Sequence, residues 1–425
     1  MLKTWLSRLW RSAFARDAAL LSVGAAAAQL LATLALPVLS RLYDPAAFGR
    51  LAVLTAVAGI VATLITLRYE SAIVLPNAER EADVLVALAF RLTLVLGPVC
   101  IALALLAQAW LPGVGAVAEM GSWLGVGAAV GVALAWVAVG NAALSRQRAY
   151  GQAAAVRIGQ SALFVAAALG LGLLGMASGL LVAQVLASVA AAAWLSRRTG
   201  RSLHSRGAEL RQAARAHAAA PRFLLPTALL DVITLQLPVL VIAARFGNDP
   251  AGQFSMAWRI LGLPAALVGV AVAQVFFRTA AADLHYGVEY LRRRFLLVTF
   301  LLAAGAVLPV LGVALAGAAL FGWALGPQWE PAGRISEVLV FSMAMYFVFS
   351  PTSSILIVLA RQKVLLAFAV FQFAYRTAVA LWADDIGTYV SALVLLECLN
   401  VVLFVAAVLW ALSRPGAGST SRRPS

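Results

Sequence analysis

The chain has 425 residues, of which 63% are apolar and only 12% charged, and its mean hydropathy is +0.94. One soluble core cannot bury that much apolar side chain, so the composition predicts a membrane protein. The net charge of +15 is spread over short segments between apolar runs, which excludes a nucleic-acid-binding domain. Cys100 and Cys398 lie singly in apolar runs, and the three histidines are scattered, so no disulfide framework, metal site or cofactor is expected.

The chain begins with a basic segment, residues 1–17, in which leucine and tryptophan recur at helical spacing. The pattern predicts an amphipathic helix on an anionic membrane surface, and a frayed tail explains it equally well. The next apolar stretch, residues 18–39, is long enough to cross a bilayer and ends in Ser40-Arg41 rather than at a signal-peptide cleavage site. We interpret it as an uncleaved first span.

Twelve segments are long and apolar enough to cross a hydrocarbon core of about 30 Å as helices. Because nothing alternates like a barrel strand, the sequence predicts an all-α integral membrane protein. Loop charge places both termini in the cytoplasm, with 24 lysines and arginines inside, 3 deep within spans and 5 assigned to the outer side, of which Arg259 lies about two turns into span eight. The predicted spans are residues 18–39, 51–75, 84–108, 122–144, 158–174, 180–195, 223–244, 252–277, 295–319, 335–360, 364–381 and 388–412.

A weak internal repeat divides the chain. The tetrapeptide LPVL occurs at 36–39 and 237–240, and DPA follows it at 44–46 and 249–251. Short basic loops with Arg-Gln also follow both span four and span ten, each at the same point of its half. An even number of spans per half makes the two copies parallel. This organisation is typical of transporters, whose substrate site lies between the halves.

The repeat predicts two six-helix bundles, related by a pseudo-two-fold axis along the membrane normal. They are joined by a basic cytoplasmic linker and followed by a disordered tail. The predicted domains are the N-terminal segment 1–17, the bundles 18–195 and 223–412, the linker 196–222 and the tail 413–425.

Two runs near the N-terminus, SRLYDPAAFGRLAVL at 40–54 and LRYESAIVLP at 67–76, resemble the signature of polysaccharide-biosynthesis membrane proteins of the O-antigen flippase type. That family belongs to the multidrug/oligosaccharidyl-lipid/polysaccharide (MOP) exporter superfamily. The resemblance implies a MATE-like fold in which two six-helix bundles face a central cavity. Further stretches that fit the same pattern are 141–161, 221–240, 251–277 and 321–333.

The resemblance also implies a function. Such a flippase moves undecaprenyl-pyrophosphate-linked oligosaccharide from the cytoplasmic to the periplasmic leaflet by alternating access, in O-antigen, capsule or exopolysaccharide synthesis. It would be a monomer in a bacterial inner membrane. Its expected partners are the lipid-linked oligosaccharide and anionic membrane lipids, together with a polysaccharide polymerase and a chain-length regulator.

Charged residues inside the spans are candidate site residues, because a charge at mid-bilayer costs at least about 2.5–3.5 kcal/mol. A guanidinium binds phosphate oxygens in a bidentate fashion without titrating, which suits a pyrophosphate head group. Snorkelling to the nearest interface is the structural alternative. The candidates are Arg68 and Arg259, whose spans line the cavity in the resembling family, then Arg41 and Arg245 at matching points of the repeat, and Arg91 and Arg376 as weaker choices.

Three carboxylates are candidates for coupling transport to a proton or sodium gradient. Asp231 and Glu397 lie near the middle of spans seven and twelve, and Glu70 follows Arg68 by two residues. A carboxylate buried in a membrane can exchange a proton, and a structural partnership with a cavity arginine is the alternative. Residues two apart do not face each other on a helix, so Arg68 and Glu70 are not expected to pair.

Two other functions remain open. A cation-coupled drug or small-molecule antiporter of the same superfamily should have a cavity richer in acids than in arginines. A membrane polysaccharide polymerase or ligase should carry a large periplasmic loop. The longest predicted outer loops, near 109–121 and 320–334, are about 15 residues long and poor in candidate catalysts. The sequence also contains no P-loop, so we predict a gradient-driven transporter without catalytic residues.

Overall fold

The computed structural model describes residues 13–110, 123–199, 205–283, 287–359 and 361–413. These residues form helices and turns and contain no strand, which confirms the predicted all-α class. The predicted amphipathic segment up to residue 12, the tail after Ser413 and most of the predicted loop 109–121 lie outside the described residues.

The helices group into two compact units, Met1–Gly252 and Gln253–Ser425. In the first unit α5 packs against α3, α4 and α7, α6 packs against α1 and α7, and α9 packs along α3. The described helices that begin in this unit are α1 (Ala13–Leu34), α2 (Leu36–Leu42), α3 (Pro45–Ile65), α4 (Glu79–Trp110), α5 (Trp123–Arg146), α6 (Tyr150–Leu173), α7 (Gly179–Thr199), α8 (Gly207–Ala216), α9 (Leu225–Phe246) and α10 (Asn248–Leu261).

The second unit is built around a helical hairpin. α12 and α13 pack closely because Gly317 and Gly333 face each other, so a side chain at either position would meet the backbone of the other helix. α13 and α15 both pack against α16. The described helices of this unit after α10 are α11 (Val270–Asp283), α12 (Val288–Leu325), α13 (Glu330–Phe349), α14 (Ile355–Val358), α15 (Gln362–Trp382) and α16 (Ile386–Ser413).

The first compact unit ends at Gly252 in the sequence, whereas the repeat predicts a boundary within the linker 196–222. The difference arises because α8 packs on α4, and α9 packs on α3, so both helices belong to the first unit. The two compact units are defined by how the helices pack, and they do not test the repeat in the sequence. The six-plus-six duplication stays a prediction from the sequence.

The described residues contain ten helices long and apolar enough to cross a membrane, and two bent pairs bring the number to twelve. The first pair is α1 with α2, bent by 40°, and the second is α10 with Ala265–Phe277, bent by 42°. Pro37 lies in the first turn of α2 and Pro264 lies at the second break, where proline removes a backbone donor and crowds the preceding turn. Each predicted span corresponds to one of these helices or pairs.

Three predicted boundaries are wrong. Span two was expected at 51–75, but α3 ends at Ile65, and the apolar run that continues beyond it contains no glycine or proline to reveal the turn. Span ten was expected to begin at 335, whereas α13 begins at Glu330 and the candidate span already at Pro327; its end at Val358 agrees with the predicted 360. The predicted outer loop 320–334 is mostly helical, because α12 runs on to Leu325 and a short 3-10 turn leads into α13.

Candidate functional site

Arg68 and Glu70 form an ion pair, with Nη1 and Oε1 2.9 Å apart. The sequence prediction that they would not pair is wrong, because it assumed a helix at this point. Leu67 and Arg68 instead adopt φ values of +48° and +62°, and the chain turns back sharply. Left-handed backbone at two successive residues with side chains is strained, and such strain is often found at functional sites.

The Arg68–Glu70 pair is partly exposed to solvent, and Arg68 is its more exposed member. The Arg68 side chain is 35% exposed and that of Glu70 11% exposed. Arg68 Nε and Glu70 Oε2 are buried without a hydrogen-bond partner among the described residues. The pair lies where the 3-10 turn Tyr69–Ala72 packs against α4 and α5. The pair therefore holds one unsatisfied donor and one unsatisfied acceptor within the protein.

Arg91 projects from α4 toward the segment that precedes α8. Its Nη2 atom donates a hydrogen bond of 2.8 Å to the carbonyl oxygen of Ser205. This contact ties α4 to the start of the linker helix. It supplies the guanidinium with a protein acceptor, which is the arrangement expected of a structural arginine, and a cavity role for Arg91 stays a prediction.

Arg41 and Arg245 occupy equivalent places, in the last turns of α2 and α9. Both side chains are exposed. Arg41 donates to the carbonyl of Pro37, and the Arg245 guanidinium lies 5.6 Å from the centre of the Phe246 ring. Their matching positions agree with the repeat, and a role for either side chain at the mouth of the cavity stays a prediction.

Arg259 stands in the last turn of α10, just before the break in the bent span. Its side chain is half-buried, and its guanidinium makes no ion pair or hydrogen bond with any described residue. The preceding residue, Trp258, packs against Phe254 with ring centres 5.6 Å apart. Arg259 is thus a cation within an apolar span that the described protein leaves uncompensated.

Arg376 and Glu397 form a buried ion pair between α15 and α16. Nη2 and Oε1 are 2.6 Å apart, and the side chains are only 4% and 9% exposed. The Arg376 guanidinium also lies 5.8 Å from the centre of the Trp258 ring. Of the two alternatives for Glu397, the geometry fits a structural partner for an arginine. A coupling role for Glu397 and a cavity role for Arg376 stay predictions.

Asp231 is exposed on α9, although the sequence led us to expect a buried carboxylate. The neighbouring Val232 and Gln236 face Gly59 of α3, which turns Asp231 away from the packed face of its helix. The carboxylate makes no ion pair or hydrogen bond with a described residue. Because a charge in the middle of a span cannot face hydrocarbon cheaply, this side of α9 must meet water or polar groups.

The charged candidate residues within the spans lie in three kinds of environment. Arg68 and Glu70 are paired in a turn, Glu397 is buried against Arg376, and Arg259 and Asp231 make no ion pair or hydrogen bond with the residues that the structure describes. The described residues hold no group of three or more His, Cys, Asp or Glu side chains that could bind a metal ion.

The fold is similar to those of solved membrane transporters, two of them named as members of the MOP superfamily. It is similar to the inward-facing structure of a multidrug resistance MATE family transporter, with a TM-score of 0.62, 18% identity, and coverage of 94% of this chain and 96% of that chain. It is also similar to the lipid II flippase MurJ in an inward closed conformation, with a TM-score of 0.73, 11% identity, and coverage of 93% and 87%. A MOP transporter from Pyrococcus furiosus gives a TM-score of 0.54 at 18% identity, covering 96% and 97%.

The chain belongs to the polysaccharide biosynthesis protein family, whose model matches residues 38–334. It matches none of the curated protein sequences significantly. The resemblance inferred from the sequence signatures and the predicted MATE-like fold are thereby confirmed. The protein is a multi-pass membrane protein of this family.

Proposed function

We propose that the protein is a flippase that moves an undecaprenyl-pyrophosphate-linked oligosaccharide from the cytoplasmic to the periplasmic leaflet of a bacterial inner membrane. Transport would proceed by alternating access, with both termini in the cytoplasm. Membership of a polysaccharide biosynthesis family supports this substrate class, and the fold shared with a lipid II flippase supports the transport of a lipid-linked head group. The unpaired guanidinium of Arg259 is the observation that carries the proposal.

The contrast among the arginines within or beside the spans supports a role for Arg259 in binding an anion. Arg376 is neutralised by Glu397, and Arg91 donates to a protein carbonyl, whereas Arg259 has no ion pair or hydrogen bond within the described part of the chain. A half-buried guanidinium in an apolar span is costly without a counter-charge. A pyrophosphate supplies that charge, and its oxygens match the planar fork of arginine.

A cation-coupled antiporter is the second candidate, and Asp231 is the observation that favours it. An exposed and unpaired carboxylate on a span could bind a cationic substrate as well as a coupling ion. The fold shared with a multidrug transporter agrees with this alternative. The polymerase or ligase alternative required a large outer loop, and the chain at 320–334 forms helix instead.

Replacing Arg259 by alanine is expected to lower flipping of a fluorescent undecaprenyl-pyrophosphate-linked oligosaccharide in proteoliposomes by about 10- to 100-fold, the value of a charge-assisted hydrogen-bonded contact. The conservative variant Arg259→Lys should recover part of the activity, because it keeps the charge but loses the fork. Arg334→Ala, which removes an exposed arginine on α13, serves as the control. Wild-type flipping by Arg259→Ala at equal protein content would refute the proposal, and transport of a cationic dye instead would favour the antiporter.

Replacing Asp231 by asparagine is expected to abolish flipping or to make it independent of the proton or sodium gradient. The carboxylate is exposed and unpaired, so it is available to bind and release a cation during the cycle. Flipping measured with and without an imposed gradient separates the two outcomes. Asp384→Asn, at an exposed position between α15 and α16, is the matched control. Full gradient-dependent activity of the Asp231 variant would remove this residue from the coupling mechanism.

A further inference from the structure

The linker helix α8 is docked on the protein through its apolar face. Leu210 and Ala213 are 8% and 6% exposed, and they lie in one core cluster with Leu85 and other residues of α4. An amphipathic helix next to a membrane span often buries its apolar face in lipid. Here the protein occupies that face, so only the polar face of α8 is left to meet another partner.

Polar contacts fix the orientation of α8 around this apolar seam. Tyr69 donates its hydroxyl hydrogen to the carbonyl of Ala214 at 3.1 Å, and a ring nitrogen of His217 lies 3.1 Å from a carboxylate oxygen of Glu81. These contacts hold α8 in one rotational orientation, so that its polar face cannot turn toward α4. The side of α8 that is exposed is therefore determined by the fold.

The acidic residue of α8 is already neutralised. Arg80 Nη2 and Glu209 Oε1 are 2.7 Å apart, and this hydrogen bond lowers the pKa of the Glu209 carboxyl. Glu209 also accepts from the backbone N–H of Arg206. The negative charge of Glu209 is thus paired with Arg80 of α4 and with a backbone N–H at the start of α8. It therefore does not neutralise the arginines on the outer face.

Two arginines on the outer face of α8 have no counter-charge among the residues that the structure describes. Arg211 and Arg215 are exposed, and neither makes an ion pair or hydrogen bond with a described residue. Their i,i+4 spacing brings like charges together, which destabilises a helix unless an anion lies against them. Arg206 and Arg222, both exposed, extend the positive surface at either end.

The position of α8 brings this surface to the membrane boundary. The span α7 ends at Thr199, and the next span begins at Ala220. Both ends of the ten-residue α8 are therefore within a few residues of a bilayer surface. Clusters of basic residues beside a span attract anionic lipids.

We propose that Arg211 and Arg215 form a binding surface for the head groups of anionic phospholipids, of which phosphatidylglycerol is the test case. The surface is the exposed arginine face of α8, and it binds lipid head groups of the adjacent membrane leaflet. The same leaflet then holds α8, and through it α4, in place while other helices move. This surface is separate from Arg259 and is independent of the proposed substrate.

The test uses the full-length protein in vesicles and a photoreactive amino acid at position 212, where the exposed Gln212 lies between the two arginines. Crosslinking to radiolabelled phosphatidylglycerol should exceed crosslinking to phosphatidylcholine. The double variant Arg211→Gln/Arg215→Gln should lower the preference roughly 25-fold, at about fivefold for each basic residue near a membrane surface.

The matched control is Arg292→Gln/Arg293→Gln, which removes two exposed arginines that already have Glu289 as a partner. It should leave crosslinking at position 212 unchanged. Equal crosslinking to the two lipids, or no change in the Arg211/Arg215 variant, would overturn the proposal. A variant that keeps its lipid preference but loses flipping would assign the surface to the substrate instead. Crosslinking to a soluble acidic protein in place of lipid would also overturn it.

Discussion

Replacing Arg376 by alanine is expected to destabilise the protein by about 3–5 kcal/mol, the cost of leaving one member of a buried ion pair without its partner. Glu397 would then hold a charge in a site that is 9% exposed, with its nearest cation removed. The expected result is a large fall in the thermal midpoint of the purified protein in detergent and in the yield of monodisperse protein.

The double variant Arg376→Met/Glu397→Leu tests whether the loss of stability comes from leaving one charge unpaired. Because both charges are removed together, no uncompensated group remains, and stability should return to near the wild-type value. If Glu397 serves only as a partner for Arg376, flipping by the double variant should also persist. Recovery of stability without recovery of flipping would return Glu397 to the coupling candidates. A single Arg376 variant as stable as wild type would contradict the buried-pair interpretation.

The number of spans could be predicted from the sequence, because each span must be an apolar stretch of membrane length whatever its neighbours are. The residues at which the spans end could not be predicted as well. The run that contains Leu67 and Arg68 reads as continuous helix by hydropathy, and only the backbone reveals a left-handed turn there. The same turn brings Arg68 to Glu70, a pairing that helical spacing forbids.

The candidate site was only partly predictable. The positions of Arg376, Glu397 and Asp231 within their spans could be predicted from the sequence, but a side chain's partner depends on which face of the helix packs against which neighbour. Arg376 and Glu397 meet because α15 and α16 pack as neighbours. Asp231 is exposed because Val232 and Gln236 occupy the packed face of α9. These facts belong to helix packing, and a single sequence does not specify them.

The two copies of the repeated Asp-Pro-Ala motif lead into a tight helix crossing in the first unit. In α3, Asp44 caps the helix by accepting from the N–H of Ala47 at 2.7 Å, and Pro45 is the first helical residue. A Cβ atom on Gly49 would collide with the carbonyl of Asn248, and one on Gly252 would collide with the carbonyl of Pro45. Each glycine thus admits the backbone of the other helix.

Gly49→Ala and Gly252→Ala are each expected to lower stability by about 3 kcal/mol, the upper end of the usual cost of overpacking, because the added methyl group meets backbone rather than a movable side chain. Thermal unfolding in detergent measures the effect. Gly159→Ala in α6 is the control, since a Cβ there has open space and alanine favours helix by up to about 1 kcal/mol. If the two crossing variants unfold at the wild-type temperature, the first turns of α3 and α10 do not lie in contact. If they are destabilised as expected, each copy of the motif positions a glycine against the backbone of the other copy.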